Sequence, residues 1–295
     1  MWKSIKSVQL GLNEMALIYG TQPVSTSAFT QARANLSYTA FIELNKKSVV
    51  DVMYSDNKIK HYKNMRVLAV DGSKIALPKH PSTQQEFGVI NYANQHSKIE
   101  NDYCNGVASI LYDVLNHIVI DSQLTHAKAY EGNLAIDHLN YTKEGDLLIF
   151  DRNYPSYIFI SYLISKKLNF VIRCSKTSFK PARNILKGLG ESDQQVVLTP
   201  HHKKTKEVKE KHLPEQLNVR FVRVKLKTGE YEVLITNLMN KKRFPQSAFK
   251  YIYYMRWGIE GLYDILKNRL NLENFIGKIE NLFIKIFMLL FTLQV

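Results

Sequence analysis

Two short runs constrain this chain more than anything else in it. Val67-Leu68-Ala69-Val70 is wholly apolar and is followed by Asp71; Leu147-Leu148-Ile149-Phe150 is wholly apolar and is followed by Asp151. A bounded apolar run this short reads as a buried strand. A buried strand that ends in an acid presents the carboxylate at a sheet edge, where ligands and metals sit in α/β folds. Taken singly, each aspartate reads first as a turn or helix-cap residue, since Gly72-Ser73 follows one and Arg152-Asn153-Tyr154 the other. Two of them call for a third partner.

That partner lies near the end of the chain. Tyr253, Arg256, Glu260 and Lys267 stand at offsets of 0, 3, 7 and 14. At about 100° per helical residue they share a stripe roughly 60° wide. Ile252, Met255, Ile259, Leu262 and Leu266 lie on the opposite side, so the helix has a core face and a polar face. The polar face is either a solvated surface or a phosphodiester grip. In the second case the cations hold phosphate, the ring stacks on or steers a base, and the carboxylate holds a metal. The two upstream aspartates favour that case. Asp71, Asp151 and Glu260 together make a possible carboxylate triad, and three hard oxygen ligands suit Mg²⁺ or Mn²⁺.

Charge narrows the partner. The formal net charge is +14, with 40 Lys and Arg against 26 Asp and Glu, which implies a polyanion or an anionic surface. Nucleic acid is the simplest candidate and an anionic membrane the competitor. No targeting signal supports the membrane: the N-terminal lysines are followed by no long apolar run, and residues 282–295 are too few to span a bilayer and include Lys285. Cys104 and Cys174 lack CxxC spacing and read as free thiols in a reducing cytoplasm. The absence of a P-loop argues against an ATP-driven DNA enzyme.

With 295 residues the chain can form one large domain or two small ones. The first 60 or so read as helices, with Ser27 a cap for 28–36 and Ser37 for a longer helix through 52. Residues 66–70 read as a strand, 107–111 and 118–122 as a hairpin around Asn116, 129–139 as a helix, 147–150 as a strand and 157–166 as a helix. From about 170 to 242 the chain is β-rich. Val222, Val224 and Leu226 alternate with Arg223, Lys225 and Lys227 before a Thr228-Gly229 turn, a hairpin with one apolar and one basic face. The basic face is either solvated or laid on DNA phosphates. The charged run 201–212 reads as a DNA contact or, first, as a mobile loop. Its His201, His202 and His212 lack metal spacing.

The order Asp71-Gly72, Asp151-Arg152-x-Tyr154, then Tyr253-x2-Arg256-x3-Glu260-x6-Lys267 resembles the DDE transposases of bacterial insertion sequences, the IS-four family, on the branch of the transposon-five transposase. The resemblance runs from about Ser27 to about Gly277. Asn153 stands where that family has glycine, and asparagine tolerates a left-handed backbone better than most residues.

The resemblance implies an RNase H-like α/β fold: a mixed sheet flanked by helices, interrupted by a β-rich insertion. It divides the chain into an N-terminal helical segment (1–62), the first part of a catalytic core (63–169), the insertion (170–245) and a terminal part carrying Glu260 (246–295). It implies a transposase and endonuclease using one or two Mg²⁺ or Mn²⁺ ions, held by Asp71, Asp151 and Glu260, for phosphoryl transfer on double-stranded DNA. Tyr253, Arg256 and Lys267 would grip the transposon end, with Arg152 and the Arg223, Lys225 and Lys227 face adding DNA contacts. The partners implied are transposon ends and target DNA, with a homodimer on DNA, in the bacterial cytoplasm at the nucleoid, and no membrane. A DNA-binding remnant that does not transpose stays open, as do a metal-dependent nuclease and a tyrosine nucleophile at Tyr253. Family members continue past the Glu-containing helix. The apolar tail from Ile279 to Phe291 is therefore expected to leave a patch uncovered, as in a truncated chain.

Overall fold

A computed structural model of the chain describes residues 7–56, 58–92, 101–226, 228–273 and 280–292. The helical start is as the sequence suggests, with shifted caps. Helix α1 (Val8–Tyr19) is capped by Ser7 and ends at Gly20, whose φ of 64° suits glycine. Helix α2 (Thr26–Asn35) starts at Ser25, whose hydroxyl accepts from the Ala28 N–H. Ser27 is already inside the first turn and so is not the cap. Helix α3 (Thr39–Leu44) passes through a π-helical stretch, Asn45–Val50, into α4 (Asp51–Ser55).

The sheet follows. Strand β1 (Val67–Ala76) leads through α5 (Pro81–Phe87) to β2 (Val89–Tyr92), β3 (Asn101–Asp113) and β4 (Ile118–His126). Then come α6 (Glu131–His138), β5 (Leu147–Phe150), α7 (Tyr157–Ser165) and β6 (Asn169–Cys174). Strand β1 does not stop at Asp71 as expected. Val67–Ala69 pair in parallel with Leu147–Ile149, whereas Leu68 to Ala76 pair antiparallel with β3. Its β3 partner carries β1 onward after β5 has ended.

The β-rich stretch comprises α8 (Lys180–Leu186), β7 (Asp193–Leu198), α9 (His202–Glu210), β8 (Leu217–Lys225) and β9 (Tyr231–Thr236). The charged run expected as a loop is largely helix α9. Val208 is buried beneath it, and Lys204 and Lys211 both pair with Glu207, which is i,i+3 and i,i+4 support. The chain ends in α10 (Ala248–Tyr254), α11 (Trp257–Asp264), a π-helical turn, Ile265–Arg269, and α12 (Glu280–Thr292).

Among the described residues nine strands form one sheet in the order β2-β3-β1-β5-β6-β9-β8-β7, with β4 also paired to β3. In the path β4-β3-β1-β5-β6, β3 is antiparallel to both neighbours and β1, β5 and β6 are parallel. This is the RNase H-like order, a mixed sheet flanked by helices. Strands β9, β8 and β7 extend it antiparallel from β6. Val67, Ala69, Leu147 and Ile149 pack on one face with the α10–α11 residues Phe249, Ile252 and Ile259; Leu68, Val70, Leu148 and Phe150 pack on the other with Ala135, Phe159 and Ile160. Both faces are covered, which is why the two apolar runs do not alternate with polar residues.

Of the tail, the side chains of 284–290 are described. Phe287 and Met288 are buried, and residues 284–286 and 289–290 are half-buried. Helix α12 packs on α3 and β4, and Lys285 Nζ donates to the Arg33 and Ala34 carbonyls. The rest of the expected apolar patch, 279–283 and 291, lies outside the residues whose side chains are described. Among the described residues no helix is long and apolar enough to cross a membrane. Cys104 and Cys174 are free and buried.

Candidate active site

Asp71 sits where β1 outruns its parallel partner, on the face shared by Val67 and Ala69. Helix α11 covers that face. Tyr263, wholly within the core, brings its hydroxyl to 3.0 Å from the Asp71 carbonyl and 3.2 Å from that of Ala108, tying α11 to β1 and β3. The Asp71 carboxylate accepts from the Gly72 N–H at 2.9 Å and lies 3.8 Å from Arg256 Nη1. Burial pushes its pKa up to about 6; Asp151 and Glu131 push the same way, while Arg256 and the Gly72 N–H oppose them.

Asp151 follows β5 directly, and its Oδ1 accepts from the Asn153 N–H at 2.8 Å, an Asx turn. Asn153 is not among the residues with positive φ, so no glycine is required there. Glu260, in the first turn of α11, accepts from Arg256 Nη2. One guanidinium thus reaches both Asp71 and Glu260, residues from separate ends of the chain.

The polar stripe is turned inward. Arg256 is 8% exposed and Tyr253 7%, because the stripe faces the sheet edge and not solvent. The guanidinium lies 5.6 Å from the Tyr253 ring centre and 6.0 Å from that of Trp257. The Tyr253 hydroxyl and Arg256 Nε are buried without partners, and burial raises the Tyr253 pKa to about 12. Tyr251, Tyr254 and Trp257 are the aromatics that α10 and α11 expose. Lys267 Nζ donates to the Lys74 carbonyl at 2.8 Å and lies 3.7 Å from the Glu273 carboxylate. Arg152 is exposed beside Asp151. On β8, Lys225 is exposed and Arg223 half-buried, 4.6 Å from the Tyr231 ring; Lys227 lies outside the described residues.

Glu131 escaped the sequence argument. It opens α6, where an acid reads simply as a helix-dipole residue, and no spacing singles it out. Its side chain lies on Gly72: a Cβ built there would meet Glu131 Cδ at 2.9 Å and Oε1 at 3.0 Å. Burial first, then the Asp151 charge, raises its pKa; Lys74 opposes them. Beside these acids the Tyr154 hydroxyl is buried without a partner, and the charges acting on it most are those of Glu131 and Asp71.

Carboxylate oxygens are the donor type that a hard divalent cation takes. Asp71, Asp151 and Glu131 are oxygen ligands that repel one another, and the orphaned Tyr154 hydroxyl points to a missing polar partner. Among the described residues, however, no three acidic, imidazole or thiol side chains converge tightly enough to hold an ion. Glu260 in particular is engaged by Arg256.

A second polar cluster has the order of a hydrolytic triad and a different meaning. Ser109 Oγ lies 3.0 Å from His138 Nε2, and His138 Nδ1 lies 2.6 Å from Asp121 Oδ2. Ser109 and His138 are completely buried. No substrate reaches that serine, so the cluster is a satisfied polar link between β3, β4 and α6.

Residues 62–294 match a family model described as the Transposase DDE domain. A solved cryo-EM structure, of a piggyBac transposase synaptic complex with hairpin DNA, is similar at 14% identity and a TM-score of 0.44, over 97% of this chain and 59% of that one. No curated protein matches the chain.

Proposed function

The chain belongs to the Transposase DDE domain family, and from that premise we propose that it cuts and joins DNA at the ends of an insertion sequence of the IS-four kind. The observation that carries this reading is the single guanidinium shared by Asp71 and Glu260, with Asp151 close enough to raise the Asp71 pKa.

Asp71, Asp151 and Glu260 would hold Mg²⁺ or Mn²⁺, one or two ions, with Glu260 free to do so where Arg256 engages a DNA phosphate instead. Such an ion, when bound, supplies Lewis acidity at the phosphoryl group and a more acidic water or 3′-hydroxyl. Arg256 and Lys267 hold phosphates of the transposon end, and the buried Tyr253 acts on them through the Arg256 guanidinium. Arg152 meets phosphate at the rim, while Arg223, Lys225 and Lys227 add affinity without sequence preference. Two copies pair two ends as a homodimer on double-stranded DNA, in the cytoplasm. The division at residues 62, 169 and 245 serves this reading: a helical start, a core with both aspartates, an insertion and the Glu260 helix.

The test is cleavage of end-bearing duplexes with Mg²⁺ or Mn²⁺. Glu260→Ala should abolish cutting while leaving binding nearly intact, because the basic surface remains. Equal loss of both would refute the assignment. An unchanged chain that binds but never cuts, with either ion, would make it a DNA-binding remnant.

A further inference from the structure

Helix α11 reaches residue 71 twice. Arg256, its N-cap residue, lies 3.8 Å from the Asp71 carboxylate, and the Tyr263 hydroxyl donates to the Asp71 carbonyl at 3.0 Å. The two side chains are 7 positions apart in sequence, which puts them two turns and about 10 Å apart on one face of the helix. Glu260 falls between them, 4 positions after Arg256 and 3 before Tyr263. A helix attached at one point can still rotate and slide. Attached at two it can do neither, and the position of Glu260 relative to Asp71 is set.

The two attachments differ in kind. The guanidinium is charged, and the proposed function has it engage a DNA phosphate. The Tyr263 hydroxyl is neutral and belongs to a residue 7% exposed. Burial, then the charges of Asp71 and Glu131, holds its pKa well above that of an ordinary phenol, so it keeps its proton and remains a donor. Its other acceptor, the Ala108 carbonyl at 3.2 Å, belongs to β3, the antiparallel partner of β1. Ile259, Leu262 and Leu266 hold this helical segment to the core, but apolar burial has no direction. The directed bond sets where along β1 the helix sits.

We propose that Tyr263 is the positioning residue for Glu260: its hydroxyl keeps α11 in register with β1 once Arg256 has left Asp71 for DNA. The proposal rests on the catalytic reading of Asp71 and Glu260 above. Tyr263 acts through the helix and meets neither DNA nor the reacting phosphate.

The test is Tyr263→Phe in the full chain, which keeps the ring and removes the hydroxyl. With an end-bearing duplex and Mn²⁺, kcat should fall by roughly tenfold to a hundredfold, the scale of a small misplacement. Half-saturating Mn²⁺ should rise by roughly tenfold, since affinity for a hard cation follows its charged ligands, while KM for the duplex stays the same. A smaller folded fraction would lower the rate alone, so the Mn²⁺ shift separates position from stability. A second readout needs neither metal nor DNA: amide hydrogen exchange across residues 257–264. Tyr263→Phe should speed it by roughly tenfold more in an Arg256→Ala background than in the unaltered one, because the hydroxyl is then the last attachment to residue 71. If half-saturating Mn²⁺ does not move, or exchange changes equally in both backgrounds, Tyr263 is a packing residue and the proposal is overturned; an inactive Glu260→Gln in the same assay then shows that the catalytic reading stands. If Glu260→Gln cuts like the unaltered protein, or the unaltered protein cuts nothing, the catalytic reading fails and this proposal fails with it.

Discussion

Arg256 donates to Glu260 one turn further along the same helical path and lies 3.8 Å from Asp71. A guanidinium in this place neutralises two acids that a divalent ion would otherwise neutralise. It is 8% exposed, so it is held in a low-dielectric setting by its partners and by the Tyr253 and Trp257 rings.

Removing that cation should therefore be felt in stability. Arg256→Ala should cost about 3 kcal/mol at pH 8 in urea unfolding, the scale for breaking a buried pair from one side. The Glu260 share is discounted because its side chain is 38% exposed. At pH 5 the cost should shrink, because Asp71 then takes up a proton. A loss that is the same at both pH values would show that Asp71 does not depend on Arg256. The same variant should lower the salt slope of DNA binding by about one unit if Arg256 meets one phosphate.

Asp71 itself should make the metal-free protein less stable as pH rises. Its carboxyl titrates near 6 in the fold against an ordinary 3.8, so the folded state holds the proton more tightly than the unfolded chain. The resulting stability is fully present below about pH 4 and is lost as pH climbs through 6, worth about 3 kcal/mol in all. In chelator, Asp71→Asn should escape this loss and equal or exceed the unaltered protein at pH 8. Parallel stability curves for the two proteins between pH 4 and 8 would refute the assignment.

The basic face of β8 should act on any duplex. Arg223→Ala with Lys225→Ala should weaken binding to unrelated DNA and to transposon ends by the same factor, with the salt slope falling by about one to two units. Fluorescence anisotropy at several salt concentrations reads both quantities. A selective loss for one sequence would instead place these residues at a base edge.

Far from the acids, Arg220 anchors the added strands to the segment leading into α10. It is wholly buried, forks onto Asp193, and donates to the carbonyls of Leu238 at 3.0 Å and Phe244 at 2.8 Å. Asp193→Ala should cost about 3–5 kcal/mol by stranding that charge. Lys241, 3.6 Å from Asp193, is half exposed and adds little. A denaturation midpoint unchanged by Asp193→Ala would show that the pair does not hold the sheet extension in place.

Local pattern was enough for some of this molecule. Val67–Val70 and Leu147–Phe150 are strands with no exposed surface, as uninterrupted apolar runs dictate when both sheet faces are covered. Val222 and Val224 face inward and Lys225 outward, as a period of two requires. The helical spacing of Tyr253, Arg256, Glu260 and Lys267 suggested one polar stripe on one helix, but Tyr253 lies in α10 and packs in the core with Ile252 and Ile259, Glu260 lies in α11, and Lys267 lies in the π-helical turn. What covers each face was decided by tertiary structure. Pattern says which side of a helix differs from the other, but the direction of the polar stripe depends on α11 lying across β1. So Tyr253 and Arg256 are buried and not solvated. The reach of β1 beyond Asp71 depends on pairing with β3, a partner some forty residues away in sequence. Glu131 is the sharpest case. In sequence it is a first-turn helix acid like many others, and only the docking of α6 against a strand position without a side chain, Gly72, brings its carboxylate onto β1. Periodicity records the preferences of single elements; the meeting of charges from four separate elements is a property of how those elements pack.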